Sequence, residues 1–266
     1  MSADPRQELL ASAADPRGDI AEAALWLAAE DCDDVDVPAS LDVINSLGRD
    51  LGERLDGRRG RDALTTLHEL LRDRLHLRRS GGGDPRAHYL HSVLERGCGI
   101  PISCAIVYMA VGRRAGLEVE GVGLPGHFGV RVDGVLADPA DGDVLDDDDA
   151  LRLVVSATGR EHTELDPSWL QPATARVILA RISRNLRGCY SSLEQWDLAV
   201  RAADRCVALF PAKLSERRDR GLLLFRAGHA SSALADLRAY LDDAPADAAD
   251  RPSVEEVAAR IRASLN

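Results

Sequence analysis

A histidine and a carboxylate that can meet are the first place to look for chemistry, and this sequence holds one such pair. Asp133-Gly134 separates two short apolar runs, His127 to Val132 and Val135 to Asp138, and is the dipeptide that favours a two-residue hairpin turn. In such a hairpin, residues whose numbers sum to 267 face each other, so Asp138 stands opposite Gly129, two residues from His127 on the same strand. Residues two apart share a face of a strand, which makes His127 and Asp138 diagonal neighbours within hydrogen-bond reach. A carboxylate in that place fixes the tautomer of the ring and favours its protonated form. This is two thirds of a Cys–His–Asp triad; the plainer alternative is a hairpin whose two polar side chains satisfy one another. The cysteines, Cys32, Cys98, Cys104, Cys189 and Cys206, are odd in number and form no CxxC pair, so no disulfide framework or zinc ribbon is expected. His88 and His91 are read as sharing no ligand cluster with them, and no metal or cofactor is expected.

The elements that must hold this pair follow from periodicity. The first hundred residues read as helical: Asp19 with Glu22 has capping-box spacing ahead of Ile20, Ala23, Ala24 and Leu27. Ser40 is placed as the cap of a second helix carrying Leu41, Ile44, Leu47, Leu51 and Leu55, and a third carries Leu64, Leu67, Leu71 and Leu75. Gly81-Gly82-Gly83 lacks the lysine and flanking strand of a phosphate loop and reads as a flexible connection. After a short helix at Tyr89 to Leu94 and a glycine-rich turn, Pro101 opens a helix that is apolar nearly all round, as expected of a buried one. Strands are expected at Leu117 to Val122, His127 to Val132 and Val135 to Asp138. The acidic runs Asp31 to Asp36 and Asp141 to Asp149 lack calcium-loop spacing and read as solvated loops.

The last third is helical again and repeats. A shift of 34 residues matches Ala199 with Ala233 and Pro211 with Pro245, and lays Tyr190 over Leu224, the pattern of two tetratricopeptide (TPR) units. Gly99-Ile100-Pro101-Ile102-Ser103, Arg113-Arg114-Ala115-Gly116-Leu117, Gly121 to Phe128 and Asp138-Pro139 together resemble the SirB-type proteins. That resemblance covers nearly the whole chain and implies a transglutaminase-like domain, related to papain-type thiol enzymes, followed by TPR-like helices. The expected fold is therefore α+β: a helical N-terminal part packed on a papain/transglutaminase-like core with a small antiparallel sheet (residues 1–170), then an all-α TPR-like region (171–266).

The resemblance also implies where a nucleophile should sit, at the amino end of the buried helix, about fifteen residues before its terminal glycine, where the helix dipole favours a thiolate. Counting back from Gly116 gives Pro101, which has no nucleophile. Three side chains lie near enough to substitute: Cys98 in the turn, Cys104 one turn inside the helix, and Ser103. The leading expectation is a non-catalytic protein-interaction or regulatory module that meets a protein partner through its TPR-like region. The alternative is a thiol-dependent hydrolase or acyltransferase with Cys98 as nucleophile, His127 as base and Asp138 orienting it, Cys104 and Ser103 being secondary candidates.

Composition narrows the partners. A net charge of −11 repels polyphosphate and anionic membrane surfaces, so neither nucleic acid nor membrane is expected. The stretch through Leu10 carries Asp4, Arg6 and Glu8 where a signal peptide needs an apolar run, and few unpaired cysteines suit a reducing compartment, so a cytoplasmic location is expected.

Overall fold

The computed structural model describes residues 4–15 and 18–265. The chain divides into two compact units, the first ending at Ile182 and the second beginning at Ser183. In the first, helices α1 (Pro5–Ala14), α2 (Ile20–Asp31), α3 (Val37–Leu55) and α4 (Gly60–Leu75) precede a two-residue strand β1 (Arg78–Arg79), a 3-10 turn at Pro85–His88 and a short α5 (Leu90–Arg96). Strand β2 (Cys98–Gly99) then leads into α6 (Pro101–Arg114), strands β3 (Val119–Val122), β4 (Gly129–Val132) and β5 (Val135–Ala137), and α7 (Asp147–Thr158). A 3-10 turn at Pro167–Leu170 precedes α8 (Ala175–Ser192), within which the division between units falls. It falls there, beyond Leu170, because the intervening segment is stitched to the first unit: Val122 bridges Pro172, and the Ala173 amide donates to Gly121 O at 2.8 Å.

Helix α6 is the centre of this unit. Every residue from Ile102 to Gly112 is buried, as its unbroken apolar composition demands, and Pro101 occupies its first turn as expected. Helices α2, α3, α4 and α5 pack on it, and so do β3 and β4. The sheet order is β3-β4-β5, antiparallel throughout, and the pairs Val130↔Ala137, Arg131↔Leu136 and Val132↔Val135 each sum to 267. Asp133 (φ 45°) and Gly134 (φ 85°) both lie in the left-handed region, the requirement of the twist-matched two-residue turn.

Local sequence signals erred where several acidic side chains competed for one role. Asp36, not Ser40, caps α3, its Oδ1 accepting from the Ala39 amide at 2.9 Å, so Ser40 lies inside the helix. The run Asp146 to Asp149 is no solvated loop. Asp146 and Asp149 form a reciprocal capping box at the start of α7, which buries Ala150 and Val154. A two-residue strand does precede the triple glycine, since Arg78 and Arg79 pair in parallel with Cys98 and Gly99.

The second unit continues from α8 through α9 (Trp196–Leu209), α10 (Leu214–Arg226), α11 (Ala230–Asp243) and α12 (Arg251–Ser264). The 34-residue register is kept to the residue: α9 maps onto α11 end for end, and α8 and α10 end at the equivalent Ser192 and Arg226. The turn bonds repeat too, Gln195 N to Tyr190 O at 2.9 Å and His229 N to Leu224 O at 2.8 Å. Ala199 and Ala233 are both fully buried where helices meet. Between α8 and α10, Glu216 is buried and receives Arg184 Nε at 2.8 Å and Arg187 Nη1 at 3.1 Å.

Each inter-helix turn needs one left-handed residue, Glu194 (φ 57°) in the first copy and Gly228 (φ 84°) in the second. A side chain in that region costs about 1–2 kcal/mol, part of which glycine gives back through its freer unfolded chain. Glu194→Gly is therefore expected to stabilise the protein by about 0.5–1 kcal/mol and Gly228→Ala to destabilise it by about 1 kcal/mol, read as shifts of the urea midpoint at unchanged slope.

Candidate functional site

The hairpin register delivers the expected pair. His127 enters β4 from the Pro125-Gly126 turn, its amide donating to Leu124 O at 3.1 Å and its carbonyl accepting from Arg181 Nη2 at 2.7 Å. Arg181 also lies over the Phe128 ring, 5.4 Å from its centroid, so the backbone around the histidine is held from both sides. Asp138 follows β5 and is buried; His127 Nε2 lies 3.0 Å from its Oδ2. Its other oxygen accepts from the Ala140 amide at 2.9 Å.

A third partner was not anticipated. Arg79, on β1, donates from Nη2 to the same Asp138 Oδ2 at 2.6 Å and to Asp141 Oδ2 at 2.5 Å. Arg79 stands 59 residues from Asp138 in the chain, and an arginine in a polar run before three glycines carries no local signal of its partner. Burial alone would push the Asp138 carboxyl up. The hydrogen bonds from His127 and the Ala140 amide, with the charges of His127 and Arg79, outweigh it and hold the group at about 2. Asp138 is therefore ionised at neutral pH and can only accept, so Nε2 of His127 carries the proton and Nδ1 is the ring atom left for other chemistry.

The three nucleophile candidates sit in different surroundings. Ser103 is fully buried, and its hydroxyl lies 2.7 Å from Ala87 O and 2.9 Å from Ile100 O, so its single proton is committed to the backbone. Cys104 is also fully buried; that burial, followed by the charge of Asp138, pushes its thiol up to about 12. Both pack on Gly99, where an added Cβ would stand 2.8 Å from Ser103 Oγ and 3.0 Å from Cys104 Sγ. Cys98 is half-buried on β2, beside Arg78 in the parallel ladder. Among the described residues no hydrogen bond joins His127 to Cys98, Cys104 or Ser103. The structure thus brings His127, Asp138 and Arg79 together and gives none of the three candidates a bond to the ring.

Comparison with known proteins agrees with this architecture. The Transglutaminase-like superfamily matches residues 39–184 and the Tetratricopeptide repeat matches residues 186–262. A UPF0162 protein of Pseudomonas aeruginosa is 34% identical over 228 residues, 82% of each chain. The chain belongs to the transglutaminase-like superfamily, in its UPF0162 branch. A UPF0162 protein of Xylella fastidiosa (strain Temecula1) is 42% identical over 165 residues, and that match spans 59% of either chain. F-box only protein 21 of the mouse is 29% identical over 153 residues, 53% of this chain and 24% of that protein. No solved structure matches. The transglutaminase-like match includes the hairpin, α6 and all of the residues just described. Among the described residues no helix is long and apolar enough to cross a membrane.

One expectation outside the hairpin is corrected. His91 does share a cluster with a cysteine: ligand atoms of Cys32, Asp34 and His91 all lie within 4.8 Å of one another. The pairing of α2 with α5 brings them together, a tertiary contact that no spacing in the sequence encodes.

The depressed Asp138 carboxyl has a measurable consequence. Its folded value, about 2, lies below the ordinary 3.8, so its stabilisation is complete above about pH 5 and is lost as pH falls from about 4 towards 2. The difference amounts to about 2 kcal/mol. Asp138→Asn should lower stability at pH 7 by about that much, and the gap to the unsubstituted protein should close as urea titrations are repeated from pH 5 downward. A gap that stays constant with pH would mean that the ionised carboxylate contributes nothing.

Proposed function

We propose that this UPF0162 protein is a non-catalytic, cytoplasmic module of SirB type, whose transglutaminase-like unit keeps the His–Asp geometry of a thiol enzyme as a structural clamp and whose TPR region engages a protein partner. The observation that carries this reading is the state of Cys104, the buried sulfur on which the charge of Asp138 bears, with a thiol held up at about 12 and hence protonated at neutral pH. Three further features support it. Pro101 holds the first-turn position of α6 where a nucleophile would gain most from the helix dipole. The Ser103 proton is spent on carbonyls. Arg79 and the Ala140 amide share the Asp138 carboxylate with His127, so the carboxylate is engaged in joining the hairpin to β1.

In this reading His127, Asp138 and Arg79 tie three segments, the β3–β4 turn, the end of β5 and β1, into one rigid node. The TPR region supplies the recognition surface, since stacked helical pairs of this kind commonly present extended surfaces to peptides or proteins.

Cys98 decides between this reading and thiol catalysis, because of the three candidate nucleophiles it is the one that is only half-buried. A cysteine-directed electrophile should modify Cys98 at a rate unchanged by His127→Ala. Rapid modification below pH 7 that His127→Ala slows by tenfold or more would establish an activated Cys98 and overturn the non-catalytic assignment. For the repeats, the proteins recovered with the full chain should differ from those recovered with a chain ending at Ile182; identical sets would remove the recognition role.

A further inference from the structure

The first unit carries a second cluster of chemistry-bearing side chains, on the face where α2, α3 and α5 converge. Helix α2 ends at Asp31, and Cys32 caps it, its amide donating to Ala28 O at 2.9 Å. The chain then crosses a short acidic connection through Asp33 and Asp34 to Asp36, the cap of α3. Helix α5 packs against α2 and places His91 in its first turn. The Tyr89 hydroxyl, at the cap of α5, donates to Asp31 Oδ2 at 2.7 Å and fixes the approach of the two elements. These constraints bring a sulfur of Cys32, a carboxylate oxygen of Asp34 and a ring nitrogen of His91 within 4.8 Å of one another.

The state of His91 separates this group from an ordinary acidic loop. Its side chain is 9% exposed, and its Nδ1 is enclosed with no hydrogen-bond partner. An imidazole nitrogen shut away from both water and protein forfeits about 1–3 kcal/mol, and native structures rarely leave it so without a ligand or a bound water. Beside it lies a cavity of about 270 Å³ whose walls include Asp34, Asp36, His91 and Glu95. This gives an ion an acidic path inward and leaves room for a water.

We propose that Cys32, Asp34 and His91 form a zinc site, completed by one water. The donor set selects the ion. A thiolate and an imidazole disfavour calcium and magnesium, which take oxygen ligands, whereas one sulfur, one nitrogen and one oxygen suit tetrahedral Zn²⁺. With bonds of about 2.3 Å to sulfur and about 2.0–2.1 Å to nitrogen and oxygen, ligand atoms around tetrahedral zinc stand about 3.3–3.6 Å apart. Closing the cluster to that span requires rotation of Cys32 and of Asp34, whose side chain is exposed. Binding transfers the Cys32 thiol proton to solvent and leaves the thiolate on the metal, with no change of oxidation state. The ion would then link the α2–α3 connection to α5, the helix that leads directly into β2 and α6.

The test uses the full chain, stripped with chelator, kept reduced with a phosphine and titrated with Zn²⁺ alone or Co²⁺ alone. The expected result is one Zn²⁺ per chain, and with Co²⁺ both the visible bands of a tetrahedral ion and a thiolate-to-metal charge-transfer band. Cys32→Ser and Asp34→Asn, at half-buried and exposed positions, should each weaken Zn²⁺ binding at least tenfold, and Cys32→Ser should remove the charge-transfer band. Cys98→Ser should change neither. His91→Ala should abolish binding, and circular dichroism before titration shows whether that variant keeps its helices. No uptake of Zn²⁺ at micromolar concentration would overturn the assignment. So would uptake that survives Cys32→Ser without the charge-transfer band, which is adventitious binding to surface carboxylates, and so would uptake lost in Cys98→Ser.

Discussion

A helix with no solvent-facing side has to be wrapped before it can exist in water, and α6 is such a helix. Its residues from Ile102 to Gly112 are all buried, so neither face can be left to solvent without exposing apolar area at about 25 cal/mol per Å². Helices α2 to α5 pack on it, and so do β3 and β4. The same enclosure limits chemistry. Every side chain from Ile102 to Val111, Ser103 and Cys104 included, is sealed off from solvent.

Around the amino end of α6 the chain has spent its polar groups on structure. Asp138 is a buried anion, and a buried anion needs partners on every lone pair to be tolerated. It finds His127, Arg79 and the Ala140 amide, which come from the β3–β4 turn, from β1 and from its own loop. One carboxylate thereby fixes three chain segments, and β1 shares no ladder with the hairpin that holds the other two. Glu216 does the same work in the second unit, where two arginines of α8 converge on it. In both units an ionised side chain excluded from water sets the relative placement of its neighbours, because shifting any of them would leave the charge unmatched.

What could be read from the sequence was what local geometry encodes. A two-residue turn leaves no freedom of register, so Asp133-Gly134 alone was enough to place His127 against Asp138, and the observed pairs keep the sum of 267. The 34-residue period was legible in the same way, and the observed helix ends keep it, because each copy must present the same faces to its neighbours. Caps were less legible. A carboxylate can close a helix start or merely face solvent, so Asp36 and Asp146 looked like parts of acidic loops until the helices behind them were seen.

Arg79 and His91 were illegible for a different reason. Each acts on residues brought near by packing around α6: Arg79 through the parallel pairing of β1 with β2, His91 through the seating of α5 on α2. No periodicity or turn signal marks such a contact, since the information lies in which buried faces match. Both residues also lie on the stretch that enters α6, between Leu75 and Pro101, which is built of short elements: β1, a 3-10 turn, α5 and β2. Side-chain anchors add to the backbone hydrogen bonds of these short elements. The Asp138–Arg79 pair supplies one at the start of the stretch, and the Tyr89–Asp31 bond beside the Cys32, Asp34 and His91 cluster supplies the other. Cys98 enters α6 from a strand paired with β1, so the Asp138–Arg79 contact, formed far from it in sequence, bears on the ladder that holds it.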